Sequence, residues 1–426
     1  MRVIIVGSGL SGLIMGHCLL RAGVDDFVIL ERRPDPVERS GSVIGLFPHT
    51  FRVLDQLDLL DEIRKLSPPL HHWLHLDPRG RTIYDGGFFD CLQTNHGHPS
   101  TLLMRRDLME ALYSKLPDSG LRVVPNKKVT GVEQDESSVT VTCADGSTFK
   151  GDVLIGCDGV HSAVRRFALE QPAGESKRPL PKSGYRGLFG SCPRPDGLAP
   201  CNVTETHDTG IVFMILCTED RAFWLITHRK EKPDGQKYSA EDIQALVDKY
   251  ENHSVAPGGK VTFGDLWRTR DPVPGPGMYD YHEGVAERWY NGRVVIVGDA
   301  AHQMTPNLGQ GGNNSVEDVA SLINQLNALV KEKPNPTTAE LEGAFARFQK
   351  ERKGRVKFIA GITGRYTRWT SWRDWPSWFM QYWVWPLLGD RFIVNRLLSP
   401  MIRESIKLDF VEEKRLPPGK VAWKYH

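Results

Sequence analysis

The chain opens with Val3-Ile4-Ile5-Val6 and turns through Gly7-Ser8-Gly9-Leu10-Ser11-Gly12. An apolar-periodic stretch then runs to Ala22, and Phe27-Val28-Ile29-Leu30 closes on Glu31. No other feature constrains the fold as strongly. Strand, glycine turn, helix and second strand ending in an acid make a βαβ unit with a dinucleotide fingerprint, the acid falling near the required spacing of roughly 20 residues. Gly7 permits the tight turn, Gly9 lets backbone approach a pyrophosphate, and Gly12 lets helix and strand pack closely. Leu10 and Ser11 open the helix, whose free N–H groups suit phosphates. Glu31 is placed to accept hydrogen bonds from a ribose, and Arg32 beside it joins the candidate set.

A length of 426 residues allows two or three domains, or one α/β core carrying an insertion. With 40% hydrophobic and 25% charged residues the chain is an ordinary globular one. Its 54 basic and 52 acidic residues give no electrostatic reason to expect nucleic acid as a partner. Seven scattered cysteines, never spaced as CxxC, indicate neither a disulfide framework nor a zinc site, and a reducing, cytoplasmic setting fits them. The N-terminus goes straight into the glycine loop and is a poor secretory signal. No apolar run reaches the length of about 18 residues that a spanning helix needs.

Short strands are expected at Leu121–Val124, Lys128–Val132 and Val139–Thr142, with a turn at Asp145-Gly146 before a buried strand, Asp152–Gly156. From about residue 181 the character changes: Tyr185–Gly190, Ile211–Leu216 and Ala222–Thr227 read as an antiparallel sheet. Arg293–Val297 then returns to the first unit, and helical periodicity covers Gly311–Lys331 and Thr338 to about Arg365. The predicted division is 1–180 and 290–365 for a dinucleotide-binding domain, 181–289 for an inserted sheet domain, and 366–426 for a C-terminal segment.

Two further glycine and acid segments follow strands: Gly156-Cys157-Asp158-Gly159, running on to Arg165, and Gly298-Asp299-Ala300-Ala301-His302, with the tail Pro306-Asn307-Leu308-Gly309-Gln310-Gly311-Gly312-Asn313-Asn314 and Glu317-Asp318. With the opening loop, these resemble in order the FAD fingerprint, DG motif and GD motif of the class A flavoprotein monooxygenases, over residues 1 to about 365. The resemblance implies an α/β fold: a Rossmann-type FAD-binding domain with an inserted, mainly antiparallel β-sheet substrate domain. The segments Ser42–Thr50, including Gly45, and Arg52–Leu57 are similar to fungal enzymes acting on meroterpenoids and prenylated indole alkaloids.

On this resemblance FAD is the cofactor, NADPH or NADH a transient reductant, and O2 the co-substrate, with oxygen transfer through a C4a-hydroperoxyflavin. The expected substrate is a small-molecule, bulky hydrophobic natural-product intermediate, which is epoxidised or hydroxylated. Asp299 and Ala300 are expected at the ribityl chain, and Pro306, Gly309, Gly311, Gly312 and Asn313 at the flavin ring, where a helix beginning near Gly311 aims its positive end. Arg105 matches the arginine that meets the pyrophosphate region, with Arg106 as its neighbouring alternative. Asp158 and Arg165 match the two ends of the DG motif; capping of the following helix is the bland reading of Asp158, and the two roles could coexist. Arg186 and Tyr185, at the start of the inserted sheet, are the catalytic candidates, and a surface strand arginine is the bland reading of Arg186. His302 reads as structural or flavin-side. No Ser-His-Asp triad and no metal cluster at ligand spacing is visible.

A small-aromatic hydroxylase, a flavin-dependent halogenase and a non-catalytic prenyl-binding relative are the alternatives. Trp383-Val384-Trp385-Pro386 lacks the isoleucine of the halogenase signature and lies far beyond the GD motif. Of 11 tryptophans, six (Trp369, Trp372, Trp375, Trp378, Trp383 and Trp385) fall in a short, predicted helical C-terminal segment interleaved with arginines. That segment suits a peripheral membrane contact or a cap over the substrate domain.

Overall fold

A computed structural model describes residues 1–37, 42–169, 181–230, 238–273, 275–415 and 417–425. The apolar runs Val3–Val6, Phe27–Leu30, Val153–Gly156 and Val294–Ile296 are buried at every position, as strands covered on both faces must be. They form the parallel centre of a six-stranded sheet, ordered Tyr290–Asn291, Val294–Ile296, Val153–Gly156, Val3–Val6, Phe27–Leu30 and Val123–Val124. Gly7 N donates to Leu30 O, Cys157 N to Val6 O and Val297 N to Gly156 O. The three glycine and acid loops therefore leave the sheet side by side at its carboxyl edge, where open α/β sheets bind ligands. Val129–Gln134, Val139–Cys143 and Thr148–Gly151 form the expected meander. The strand expected from Leu121 is shorter, because Ser119–Arg122 makes one helical turn after the left-handed Asp118.

A second sheet has seven strands, ordered Gly277–His282, Lys182–Pro193, Arg221–Arg229, Ile211–Cys217, Val203–Asp208, Trp73–Leu76 and Thr82–Gly86. It extends beyond residues 181–289: Trp73–Leu76 pairs in parallel with Val203–Asp208, and Thr82–Gly86 closes that edge. Two short strands so far in sequence from their partners leave no local signal of which sheet they join. One face of this sheet is covered by helices Ala240–Tyr250 and Phe263–Arg268, packed on Phe213, Trp224 and Ile226. Each helix starts in a capping box, Ser239 with Asp242 and Thr262 with Asp265. The other face, carrying Trp73, Tyr185, Val203, Met214 and Tyr281, packs against Phe88, Ile359, Tyr366, Met401 and Ile402.

Helices Gln310–Glu332 and Thr338–Thr370 pack together, and the second runs past Arg365 to carry Trp369. Beyond it, Trp375–Phe379, Trp385–Ile393 and Ser399–Arg403 are joined by π-helical turns. The tail then crosses the nucleotide-binding half. Arg52, almost wholly buried, donates to Glu413 at 2.5 and 2.8 Å and to Tyr425 O at 2.7 Å, with Trp423 stacked 4.2 Å away. Gln56 exchanges hydrogen bonds with Leu408, and Asp55 accepts from Lys414 N and Arg415 N. Removing residues 366–426 strips partners from these buried groups. The truncated chain is expected in the insoluble fraction, as read by partition after lysis.

Candidate cofactor and substrate site

The opening loop is held by close backbone approach. Gly7 has φ 102°, and a Cβ on Gly12 would lie 1.9 Å from Gly7 O. Helix Leu10–Arg21 has no side-chain cap and no acidic residue in its first turn, and the same is true of Gln310–Glu332. Their leading N–H groups and positive ends are left for an anionic ligand. The two termini adjoin: Gly298 sits against both Ser11 and Ser315, and Gly312 against Leu10 and Ile44.

Asp299 lies in the turn Gly298–Ala300, next to Gly311. Desolvation pushes its carboxyl above the ordinary range, against the pull of His302 and Arg105, yet its side chain is exposed. A carboxylate with protein all around that still meets solvent lies on the floor of a cleft. Such a group, flanked by two uncapped helix ends, fits the polyol chain and pyrophosphate of FAD. Ala300 is buried beneath it.

The other candidates gather around the same loops. Arg105 Nη2 approaches Gly9, 4.0 Å from a Cβ position there, while Arg106 is exposed and donates to Asp107 at 3.1 Å. Glu31 accepts from Ser8 N at 3.0 Å, Ser8 Oγ at 2.9 Å and Arg33 N at 2.9 Å, which ties the loop to the second strand; Arg32 is exposed. Asp158 accepts from Ser162 Oγ, Ala163 N and Val164 N, so it caps the segment that follows. Arg165 donates to Ala300 O at 2.6 Å and Val160 O at 2.9 Å, joining the second loop to the third. Pro306 begins the turn Pro306–Leu308, and Gly309 then packs against Phe47. Asn313 accepts from Phe47 N and Thr50 Oγ1 and donates to Gly45 O and Gly309 O, so its amide positions the loops around the groove.

The two catalytic candidates divide across the sheet, because successive strand residues point to opposite faces. Tyr185 is buried on the inner face, where Ser371 Oγ donates to its hydroxyl at 3.1 Å. Arg186 points to the outer face with Leu188 and Ile226. It donates to His228 Nδ1 at 3.3 Å and lies 5.2 Å from the Tyr238 ring. The expectation that Arg186 faces the reacting centre is corrected by this register. A two-residue period makes one of two neighbours face away, and the sequence does not say which.

Under the third loop lies a buried charge network that the sequence pattern did not assign. Asp318 Oδ2 accepts from Gly298 N at 3.0 Å and pairs with His302 Nε2 at 2.6 Å; its Oδ1 accepts from Arg352 Nε at 2.8 Å. Glu317 pairs with Arg352 and Arg355. Burial would raise Asp318, but the His302 and Arg352 charges outweigh it and hold the carboxyl below its usual range. The sequence placed His302 and Glu317-Asp318 in the third motif but gave no sign of the arginines they meet. Asn307 also links three parts, donating to Thr227 Oγ1 on the inserted sheet and accepting from Thr367 Oγ1 on the long helix.

The description "FAD binding domain" fits residues 1–340 by comparison with protein-family models. The chain belongs to this FAD-binding family. An FAD-dependent monooxygenase of Penicillium shearii is 32% identical across 96% of this chain and 86% of its own length. One from Alternaria brassicicola is 31% identical across 99% and 81%. Among solved structures, Klebsiella pneumoniae HpxO complexed with FAD and uric acid shares the fold at a TM-score of 0.78 and 22% identity, covering 94% of this chain and 96% of that one. Pseudomonas putida p-nitrophenol 4-monooxygenase does so at 0.76 and 22%, covering 94% and 98%. The protein is an FAD-dependent monooxygenase.

Next to the flavin groove this monooxygenase has an apolar cavity walled by Phe47, Trp73, Phe88, Leu308, Ile359, Ile362, Leu398, Met401 and Ile402, with Gln310 and Thr363 as its polar members. Phe47, Leu308 and Gln310 belong to the loops around the flavin site. The free space is about 10 Å³, close to what one water needs, so any larger occupant would have to displace part of this lining.

Behind Trp73, the parallel pairing of Trp73–Leu76 with Val203–Asp208 brings His75, Glu205 and His207 together, their ligand-type atoms within 4.8 Å of one another. No sequence spacing announces this buried group, and its hydrogen bonds give it a role without an ion. His207 Nδ1 bonds Thr370 O, His75 Nδ1 bonds His207 Nε2, and Glu205 Oε2 accepts from Trp73 Nε1 and Tyr366 Oη. Desolvation pushes Glu205 up to about 8 from an ordinary 4.5 and lowers His207 to about 4. The folded protein therefore keeps a proton on Glu205 that the unfolded chain releases. This favours the fold below about pH 4.5, and the advantage is lost as pH rises toward 8. Glu205→Gln is expected to flatten that decline by on the order of 4 kcal/mol. Urea midpoints at about pH 5 and pH 8 check it, and an unchanged slope would contradict the assignment.

Proposed function

We propose that this monooxygenase uses NADPH or NADH and O2 to insert one oxygen atom, by epoxidation or hydroxylation, into a bulky hydrophobic natural-product intermediate. The observation that carries this reading is the apolar cavity beside Phe47, Leu308 and Gln310, whose walls offer only Gln310 and Thr363 to a polar substrate. The likeness to fungal FAD-dependent monooxygenases over nearly the whole chain supports it.

Bound FAD supplies hydride acceptance and oxygen activation. The two uncapped helix ends bind its anionic parts, that of Leu10–Arg21 at the pyrophosphate and that of Gln310–Glu332 at the ring. A helix terminus contributes about 0.3–1 kcal/mol to a nearby negative charge, so it tunes the ring rather than driving reduction. Asp299 holds the ribityl hydroxyls. Trp73, Phe88 and the long helix exclude water from the reacting edge, while Gln310 and Thr363 orient the substrate by hydrogen bonding.

NADPH and NADH oxidation measured with prenylated indoles, prenylated phenols and small phenolic acids tests this reading. Stimulation by the prenylated compounds is expected. Stimulation by small phenolic acids alone would replace it with a small-aromatic hydroxylase.

A further inference from the structure

The segment from Trp375 to Arg403 has two different sides. Its inner side closes the substrate cavity through Leu398, Met401 and Ile402. Its outer side holds large apolar groups in water: Trp375, Trp383 and Leu387 are 68, 53 and 85% exposed, and Phe379, Leu388, Phe392 and Leu397 are exposed as well. These are seven of the twelve exposed large hydrophobic side chains found among the described residues, and they sit on one short segment. Scattered apolar residues are normal on a surface, whereas such a concentration marks an interaction site. Trp375 and Phe379 stack with ring centroids 5.5 Å apart, so neighbouring helical turns present one apolar face.

The charges around this face choose its partner. Arg391 and Arg396 are exposed within the segment, whereas Asp390 is buried and Asp374 is engaged in capping Ser377 N and pairing with Arg373; at its end the exposed Arg403 adjoins Glu404, which pairs with Lys424. Exposed tryptophans and leucines interleaved along one segment with exposed arginines match a phospholipid interface carrying negative headgroups. Among the described residues no helix is long and apolar enough to cross a membrane, so the contact lies in the plane of the surface.

We propose that residues 375–397 rest on an anionic phospholipid surface and that a lipophilic substrate passes from the bilayer to the cavity beneath this segment. The second half rests on the bulky hydrophobic substrate proposed above. The free space is too small for a substrate without movement of the lining, and Leu398, Met401 and Ile402, which form part of it, sit on the continuation of the segment that meets the lipid.

The test uses full-length holoenzyme and sucrose-loaded phosphatidylcholine vesicles with and without phosphatidylserine. The comparison variant is Trp375→Ser/Trp383→Ser/Leu387→Ser, whose changes are all at exposed positions and whose flavin content reports folding. The wild type is expected to pellet with the phosphatidylserine vesicles, less so as salt rises, and the triple variant to bind about tenfold more weakly. Wild type that stays in solution with both vesicle types would overturn the proposal. So would equal pelleting by the triple variant, or a wild-type dimer in analytical ultracentrifugation that the variant does not form. For the entry route, kcat/KM for a prenylated substrate held in vesicles should fall in the variant and stay unchanged when cyclodextrin delivers it; equal values in both formats overturn that half. Vesicle binding without turnover of any prenylated compound would sink the substrate reading and leave the docking surface standing.

Discussion

Gly12→Ala is expected to give a protein that purifies without yellow colour and does not gain flavin when incubated with FAD. A methyl group at this position meets Gly7 O at 1.9 Å, and that oxygen is backbone, so no side-chain rotation relieves the clash. Either the turn Gly7–Gly12 opens or helix Leu10–Arg21 moves off the sheet, and both displace the N–H groups that would hold the pyrophosphate. Overpacking of this kind costs about 1–3 kcal/mol of stability, while the loss at the binding site is far larger because several hydrogen bonds go together. Flavin absorbance per mole of protein, measured beside the thermal midpoint, separates the two effects. A variant that folds and still binds FAD with wild-type affinity would contradict the placement of the cofactor at this loop.

Arg352→Met is expected to cost roughly 3–5 kcal/mol, the usual penalty for removing one partner of a buried ion pair. The side chain is fully buried between Glu317 and Asp318, and methionine fills much of its volume while returning no charge. With Arg352 gone, the desolvation of Asp318 is opposed chiefly by His302, and its carboxyl rises. In the wild type the lowered Asp318 stabilises the fold above the ordinary carboxylate value and ceases to do so as pH falls through its folded-state value. The variant should therefore lose most at neutral pH and show a flatter acid limb. Because Asp318 Oδ2 holds Gly298 N, the turn bearing Asp299 should loosen and FAD affinity should drop with stability. Urea midpoints and flavin titration across pH check both consequences. Adding Asp318→Asn should restore part of the stability, since it removes the stranded charge.

The glycine loops, their strands and the helix that begins beside Gly311 were legible in the sequence because each is local. Glycine spacing, an apolar run and an acid at a fixed offset all lie within one βαβ unit or one loop, and the structure brings those residues to a single edge of the sheet. What the sequence left dark depends on contacts between distant segments. Trp73–Leu76 joins a sheet whose other members lie mostly beyond residue 180, and Asp318 meets an arginine on another helix. Tyr185 and Arg186 are adjacent in sequence, yet only one of them reaches the inner face, which is a matter of register that propensity cannot decide. The tryptophans split in a similar way. Trp372 is buried beside His207, Trp385 lies near Tyr366, and Trp375 and Trp383 face solvent. One segment is therefore both a wall of the cavity and an exposed apolar face, where composition had offered these as alternatives.

If oxygen from O2 is delivered to an apolar molecule seated between Phe47, Trp73 and the long helix, the mass of the product formed by FAD-loaded enzyme with NADPH and a prenylated indole under isotopically heavy dioxygen reveals it. One heavy oxygen atom per product is expected, at an alkene or ring carbon, formed in step with NADPH consumption and lost when Phe88→Asp places a charge in the cavity. A product whose added oxygen comes from water, or NADPH consumption that yields only hydrogen peroxide with every apolar substrate, would contradict it.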